Sequence, residues 1–264
     1  MELHLGIHQI LPSRWSFHQK GKLMNFYLVG GCVRDQLLGI KPKDIDIAVE
    51  APSWQEFREE ILLRSTQVYC EEPEYFRIKA LNPEYGPVDY VMCRKDGFYT
   101  DGRRPDSVEI CSIHEDLTRR DFTINAMAKD LRTGELIDLF QGQKHLKARE
   151  LHAVGEPSDR MAEDALRWFR ALRFCVTKGF TIGDPDLLDT MDEMIWSAEK
   201  SFKNISTDRI RDEIRRCFHH STSATILEVL ENFNEQGLKH FLLFLSSRGI
   251  WLNPTTQKKA GNGE

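Results

Sequence analysis

An apolar run that ends in paired glycines and is followed by two closely spaced carboxylates restricts this chain more than any other feature. The run is Phe26-Tyr-Leu-Val-Gly-Gly-Cys-Val-Arg-Asp-Gln-Leu-Leu-Gly, and Lys43-Asp44-Ile45-Asp46-Ile47 follows it. A short apolar stretch closed by glycine predicts a buried strand over Tyr27–Val29. At Gly30 and Gly31 no Cβ keeps backbone N–H groups away from phosphate oxygens. A second strand over Ile45–Val49 would turn Asp44 and Asp46 to one face, because side chains alternate along a strand. Two such charges repel unless a cation sits between them, and Mg²⁺ with substrate phosphates suits that place. The pattern implies phosphoryl or nucleotidyl transfer.

The rest of the first half continues in α/β style. Val33–Leu38 predicts a short helix stopped by Gly39 and Pro42, and Pro52-Ser53 opens a helix over Trp54–Leu63. Phe76–Ala80 and Val88–Cys93 read as strands, with turn residues at Asn82-Pro83 and Gly86-Pro87 between them. Arg94–Ser107 is polar, carries Gly and Pro, and reads as a loop; Leu117–Ala128, a polar cluster entering a helix, and Leu136–Phe140 close this part. From about Leu146 the pattern becomes helical. One helix is expected over Asp159–Lys178, where Met161, Ala165, Trp168 and Leu172 recur at spacings of four, three and four. Others are expected over Asp186–Lys200, Thr207–His219 with Ser206 as N-cap, Ala224–Phe233 and Leu238–Leu245.

Length and composition permit this organisation. A chain of 264 residues holds one large or two modest cores. No apolar run reaches membrane-span length, and Met1–Lys22 has no signal-peptide h-region, so a cytoplasmic protein is expected. The six cysteines are scattered without Cys-x-x-Cys spacing and read as reduced core residues. Net charge is −5, yet from Gln141 onward 18 Lys and Arg balance 18 Asp and Glu. Contacts with RNA would therefore come from local basic patches and not from a global field. His219-His220 ends a predicted helix and suits the helix C-terminus better than a metal.

Order and separation make the opening motif specific. Gly30-Gly31 and Asp44-x-Asp46, with Arg34 and Asp35 between them, resemble the active-site signature of DNA polymerase β-like nucleotidyltransferases. The form is that of class II tRNA nucleotidyltransferases (CCA-adding enzymes), shared by bacterial poly(A) polymerases. Leu117-Thr-Arg-Arg-Asp-Phe-Thr-Ile-Asn-Ala-Met-Ala resembles the family's Arg-Arg-Asp-x-x-x-Asn-Ala element, with Arg120 able to meet triphosphate and Asp121 and Asn125 ribose hydroxyls. The bland reading is an N-capped surface helix. Glu163-Asp164-Ala-Leu-Arg167 resembles the Glu-Asp-x-x-Arg element, whose Asp and Arg face the incoming base as a protein template; the plain alternative is an i,i+3 surface ion pair. Spacing alone cannot bring Arg170 and Arg173 to the same nucleotide, so their assignment comes from the resemblance.

Several other stretches follow the same likeness. Asp89 lies where the family places a third carboxylate, either helping to deprotonate the attacking 3′-hydroxyl or completing the metal shell; a partly exposed strand carboxylate is the alternative. Gly102-Arg103-Arg104-Pro105-Asp106 resembles the family's flexible loop, and Ile205–Ile210 a neck motif whose Arg209 either touches RNA or braces the neck.

The resemblance covers roughly residues 25–220 and implies an α/β nucleotidyltransferase head with a small mixed sheet, an all-α neck and a truncated helical body. The implied divisions are an N-terminal extension (1–24), a catalytic head (25–145), a neck that binds nucleotide and RNA (146–220), a short body remnant (221–252) and a disordered tail (253–264). The implied reaction adds CCA to tRNA 3′ ends from CTP and ATP. Asp44 and Asp46 hold two Mg²⁺ ions, Gly30, Gly31 and Arg34 serve the triphosphate, and Asp164 with Arg167 the base. Family members usually continue into body and tail regions. A compact variant, a homo-oligomer or partner protein that replaces them, or addition of only part of CCA are the alternatives. Trp168-Phe169 stands where aliphatic residues are commoner and is expected to influence base choice. Poly(A) addition is disfavoured because no Gly-Arg-Arg-Phe-Arg string follows the second strand; Phe76-Arg-Ile-Lys is the nearest. A non-catalytic RNA-binding module is disfavoured by the intact Asp44, Asp46 and Arg34.

Overall fold

The computed structural model describes residues 24–97, 106–218, 221–234 and 236–252. The expectations for the N-terminal extension, Gly102–Pro105, His219-His220 and the tail fall outside these residues. The chain divides into two compact units, residues 1–95, 108–118 and 125–140 forming one, and 96–107, 119–124 and 141–264 the other.

The first unit is built on a seven-stranded mixed sheet. In chain order its elements are β1 (Asn25–Val29), α1 (Gly31–Leu37), β2 (Ile45–Glu50), α2 (Trp54–Arg64), β3 (Gln67–Glu72), β4 (Arg77–Asn82) and β5 (Gly86–Met92). Then come β6 (Arg94–Asp96), β7 (Val108–Ile110), α3 (Ile113–Thr118), β8 (Met127–Asp130) and β9 (Leu136–Asp138). The sheet order is β3-β4-β5-β2-β1-β8-β9; β2 and β5 run parallel and the other pairs antiparallel. β1 sits inside the sheet with Phe26 to Val29 all buried. On one of its faces Tyr27 and Val29 join Ala48, Cys93, Ile113, Leu117 and Ala128 in a core cluster. α2 begins where expected: the Ser53 hydroxyl accepts from the Glu56 N–H at 3.2 Å, satisfying an otherwise orphaned helix donor.

Three local expectations change here. β3 reads as polar because it is the sheet edge, and its Cys70 is exposed instead of lying in the core. The predicted loop after Cys93 is held at its base by the β6–β7 ribbon. The stretch 117–128 is not helical throughout: α3 ends at Thr118, a 3-10 turn spans Thr123–Asn125, and β8 starts at Met127.

The second unit is largely helical: α4 (Gly142–Ala148), β10 (Glu150–Leu151), α5 (Pro157–Glu163), α6 (Leu166–Lys178), β11 (Thr181–Ile182), α7 (Pro185–Trp196), α8 (Ala198–Ser201), α9 (Thr207–Cys217), α10 (Ser223–Asn234) and α11 (Leu238–Ser247). The helix predicted over 159–178 is two helices, broken at Asp164, whose backbone is extended (φ −145°, ψ 99°). α6 is buried along most of its length and packs against α9 and α10. Its Trp168 and Phe169 meet Phe202 and Phe241 in an aromatic cluster that Phe233 and Phe244 extend. The two helices after Cys217 thus close the core of this unit.

Candidate active site

In the first unit the acidic step is set by strand register. Asp44 is exposed and immediately precedes β2, and Asp46 is the second residue of that strand. Asp46 lies directly opposite Asp89 in the parallel β2/β5 ladder, and in-register neighbours of a pleated sheet share a face. Asp89 is not a lone charge. Arg77 donates to its Oδ1 from Nε (3.0 Å) and Nη2 (2.7 Å), and Lys79, opposite it on β4, reaches Oδ2 at 3.3 Å. Burial pulls the Arg77 pKa down, but its bonds to Glu72 and Asp89 outweigh this and leave it above the ordinary arginine value.

The glycine turn follows β1. Gly30 has φ 67°, a backbone region costly to residues with a Cβ, and it is the N-cap of α1. Arg34, three residues into α1 and buried, is held on two sides. Its Nε and Nη2 donate to Asp35 Oδ1 (2.9 and 2.8 Å), and its Nη1 to Asn125 Oδ1 (2.7 Å), 91 residues away. Arg34 and Asn125 are thus brought together, with Gly31 beside the Arg34 guanidinium.

The Arg-Arg-Asp element is divided between the units: Arg119–Ile124 belongs to the helical one and Asn125 to the sheet. Arg120 is half-buried in the turn after α3. Asp121 is buried; its Oδ1 accepts from the Phe122 N–H (2.8 Å) and its Oδ2 from Arg170 Nε (2.8 Å) and Nη2 (2.5 Å). The Asp121 charge raises the Arg170 pKa above its ordinary value, which fixes a guanidinium already certain to be protonated.

Asp164 and Arg167 are joined through the backbone, the Arg167 N–H donating to Asp164 O at 3.0 Å, while their side chains take other partners. At the break between α5 and α6, Asp164 Oδ1 accepts from the Leu166 N–H (3.1 Å) and Oδ2 from Arg209 Nη2 on α9 (2.9 Å). Arg167 is buried; its Nη1 donates to Arg160 O (2.7 Å) and Glu163 Oε2 (2.8 Å), and its Nη2 to Arg119 O (3.0 Å). Arg173 donates to the buried Glu213 of α9 at 2.5 Å and lies over the Phe174 ring.

Sequence reasoning gave no role to Glu163 within its motif and missed Glu213, Arg77 and Lys79. The last two did carry a signal, since residues 77 and 79 alternate on a strand that reads as the partner of β5. Trp168 and Phe169, expected to influence base choice, are fully buried in the aromatic cluster, so any such influence passes through the packing of α6.

A mixed sheet with acidic residues in register beside a glycine turn, followed by a helical unit that carries Arg167, Arg170 and Arg173 on one helix, defines a nucleotidyltransferase fold. Residues 26–152 match the family model described as the poly A polymerase head domain. The CCA-adding enzyme of Geobacillus thermodenitrificans is 36% identical over 227 residues, covering 86% of this chain and 52% of that protein. The solved Bacillus stearothermophilus CCA-adding enzyme in complex with CTP aligns with a TM-score of 0.67 at 29% identity, covering 86% of this chain and 52% of the other. The Thermotoga maritima CCA-adding enzyme complexed with tRNA-CCA gives 0.66 at 27%, with 83% and 48% covered. Over residues 26–152 the chain carries the poly A polymerase head domain, and along most of its length it is similar to CCA-adding enzymes, nucleotidyltransferases that generally use divalent metals. It spans about half the length of the curated relatives it matches. Among the described residues no helix is long and apolar enough to cross a membrane.

Proposed function

We propose that this chain adds CCA, or part of it, to tRNA 3′ ends from CTP and ATP, with release of pyrophosphate. The observation that carries the reading is the acidic step on β2: Asp44 ahead of the strand, Asp46 within it and in register with Asp89, next to the strand that leads into Gly30. The assignment gives residues 25–145 the chemistry, 146–220 nucleotide and RNA binding, and 221–252 a bracing role. A cytoplasmic setting agrees with six cysteines that are all free thiols.

The donor set suits magnesium. Among the described residues no group of three or more His, Cys, Asp or Glu side chains forms a metal cage. Mg²⁺ characteristically uses one or two carboxylates and completes its shell with substrate phosphates and water. Asp44 and Asp46 would hold the two ions, which when bound lower the pKa of the RNA 3′-hydroxyl and offset charge on the departing pyrophosphate. The 3′-hydroxyl gives up its proton to water and its oxygen attacks the α-phosphorus; a new O–P bond forms, and the bond to the bridging oxygen of the β-phosphate breaks to release pyrophosphate.

The other side chains bind and orient. Gly30 and Gly31 leave room for the triphosphate, and Arg34, fixed by Asp35 and Asn125, presents an immobile positive charge to it. Asp121 serves the sugar end and holds Arg170. Arg167 has five N–H donors. Three are taken by Arg160, Glu163 and Arg119, leaving two for ring acceptors of a base. Asp164 keeps acceptor capacity beside its bonds to Leu166 and Arg209, which suits an exocyclic amine. Arg173, braced by Glu213, extends the same basic row.

Arg209 is then a positioning residue for Asp164. Arg209→Ala is expected to lower kcat/KM for CTP and ATP by about 10- to 100-fold, the worth of one charge-assisted hydrogen bond, with partial recovery in Arg209→Lys. Unchanged single-turnover incorporation in Arg209→Ala would remove Arg209 from the site.

The reaction is tested with tRNAs ending before C, after CC, or complete, given Mg²⁺ and CTP and ATP singly or together. Addition that stops at CCA supports the reading. Long A tails point to poly(A) synthesis, and RNA binding without extension points to a non-catalytic module. Retention of full C-versus-A selectivity by Arg167→Ala would end the templating role.

A further inference from the structure

Cys93 and Cys111 lie outside the chemistry described above, and the fold brings them together. Gly97 N–H donates to Ser107 O at 2.8 Å and Cys111 N–H to Cys93 O at 3.1 Å. These two bonds fix one antiparallel register for the β6–β7 ribbon, in which Cys93 and Cys111 are direct cross-strand partners. Such partners project to the same face, and both residues pack in the cluster with Tyr27, Val29 and Leu117. Hydrogen-bonded antiparallel pairs have Cα atoms about 5.5 Å apart, inside the window of roughly 4.4–6.8 Å that a disulfide requires.

Access to the two sulfurs differs. Cys93 is fully buried, whereas Cys111 is only partly buried, so an oxidant from solvent meets Cys111 first. We infer that Cys93 and Cys111 form a peroxide-sensitive dithiol site that closes into an intramolecular disulfide. Peroxide transfers one oxygen to the Cys111 sulfur, giving a sulfenic acid and water. The Cys93 sulfur then attacks that sulfur; the S–S bond forms, the S–OH bond breaks, and the hydroxyl leaves as water with the Cys93 thiol proton. The two thiols are oxidised together as one peroxide is reduced to water, and a dithiol reductant reverses the step. The bridge ties the residue after β5 to the segment entering α3, whereas exposed Cys70 on the edge strand β3 has no part in it.

The test treats the full chain with hydrogen peroxide, blocks remaining thiols with N-ethylmaleimide, and maps peptides by mass spectrometry with and without dithiothreitol. A Cys93–Cys111 cross-linked peptide is expected in the unmodified chain and in Cys70→Ser, lost on reduction and absent from Cys111→Ser. Accumulation of Cys111 sulfinic acid with Cys93 still alkylatable, or bridging of Cys111 to any other cysteine, overturns the inference. The readout is the cross-link itself, so its outcome is independent of whether the chain adds nucleotides to RNA.

Discussion

Asp46→Asn is expected to cut nucleotide incorporation by on the order of 10³-fold or more while leaving the protein folded. The amide has nearly the shape of the carboxylate, and the β2 backbone ladders to β1 and β5 do not involve the side chain. What disappears is one of the two negative charges proposed to hold the metal ions. Asp89 cannot substitute, since its carboxylate is already engaged by Arg77 and Lys79. The check pairs single-turnover incorporation of CTP into tRNA lacking CCA with far-UV circular dichroism of both proteins. Loss of activity with an unaltered spectrum is the expected pair of results. Wild-type incorporation by Asp46→Asn would mean that the acidic step on β2 is not the catalytic centre.

The parts of this site visible in the sequence are those whose geometry is local. An apolar strand, a glycine turn and an alternating acidic strand each occupy a few consecutive residues, and β1, α1 and β2 form where that pattern places them. The edge strand β3 was hidden because neither of its faces is fully covered, so its residues carry no clean apolar alternation. The break at Asp164 was hidden for another reason. Glu163, Ala165 and Leu166 are good helix formers, and only the tertiary bond to Arg209, 45 residues on, and the cap on Leu166 reveal why the chain opens there. Partners of the arginines belong to the same class. Arg34 with Asn125, Arg170 with Asp121 and Arg173 with Glu213 join residues 40 to 91 positions apart, and no spacing rule reaches that far. A motif indicates which side chains cluster; the carboxylates that hold them are set by packing.

Trp168 is where the motif-based expectation and the packing diverge most, and it supplies the largest expected effect on stability. Its indole is fully buried, 4.7 Å from the Phe241 ring centroid, 5.1 Å from Phe169 and 5.7 Å from Phe202. The indole N–H donates to Met191 O at 3.0 Å, tying α6 to α7. Trp168→Ala removes the centre of this cluster and leaves the Met191 carbonyl without that donor, at an expected cost of about 3–5 kcal/mol. Against a total of about 5–15 kcal/mol for a folded domain, this is enough to bring the helical unit close to unfolding at ambient temperature. Trp168→Phe keeps most of the apolar volume and loses the hydrogen bond, so its unfolding midpoint should fall between those of the alanine variant and the parent. The ordering is read from urea titrations followed by circular dichroism, alongside the ratio of C to A added by whatever protein remains folded. A core residue changes the midpoint and leaves the ratio alone. Should Trp168→Phe instead alter the C-to-A ratio with no change in midpoint, the indole would belong to the base site and not to the core.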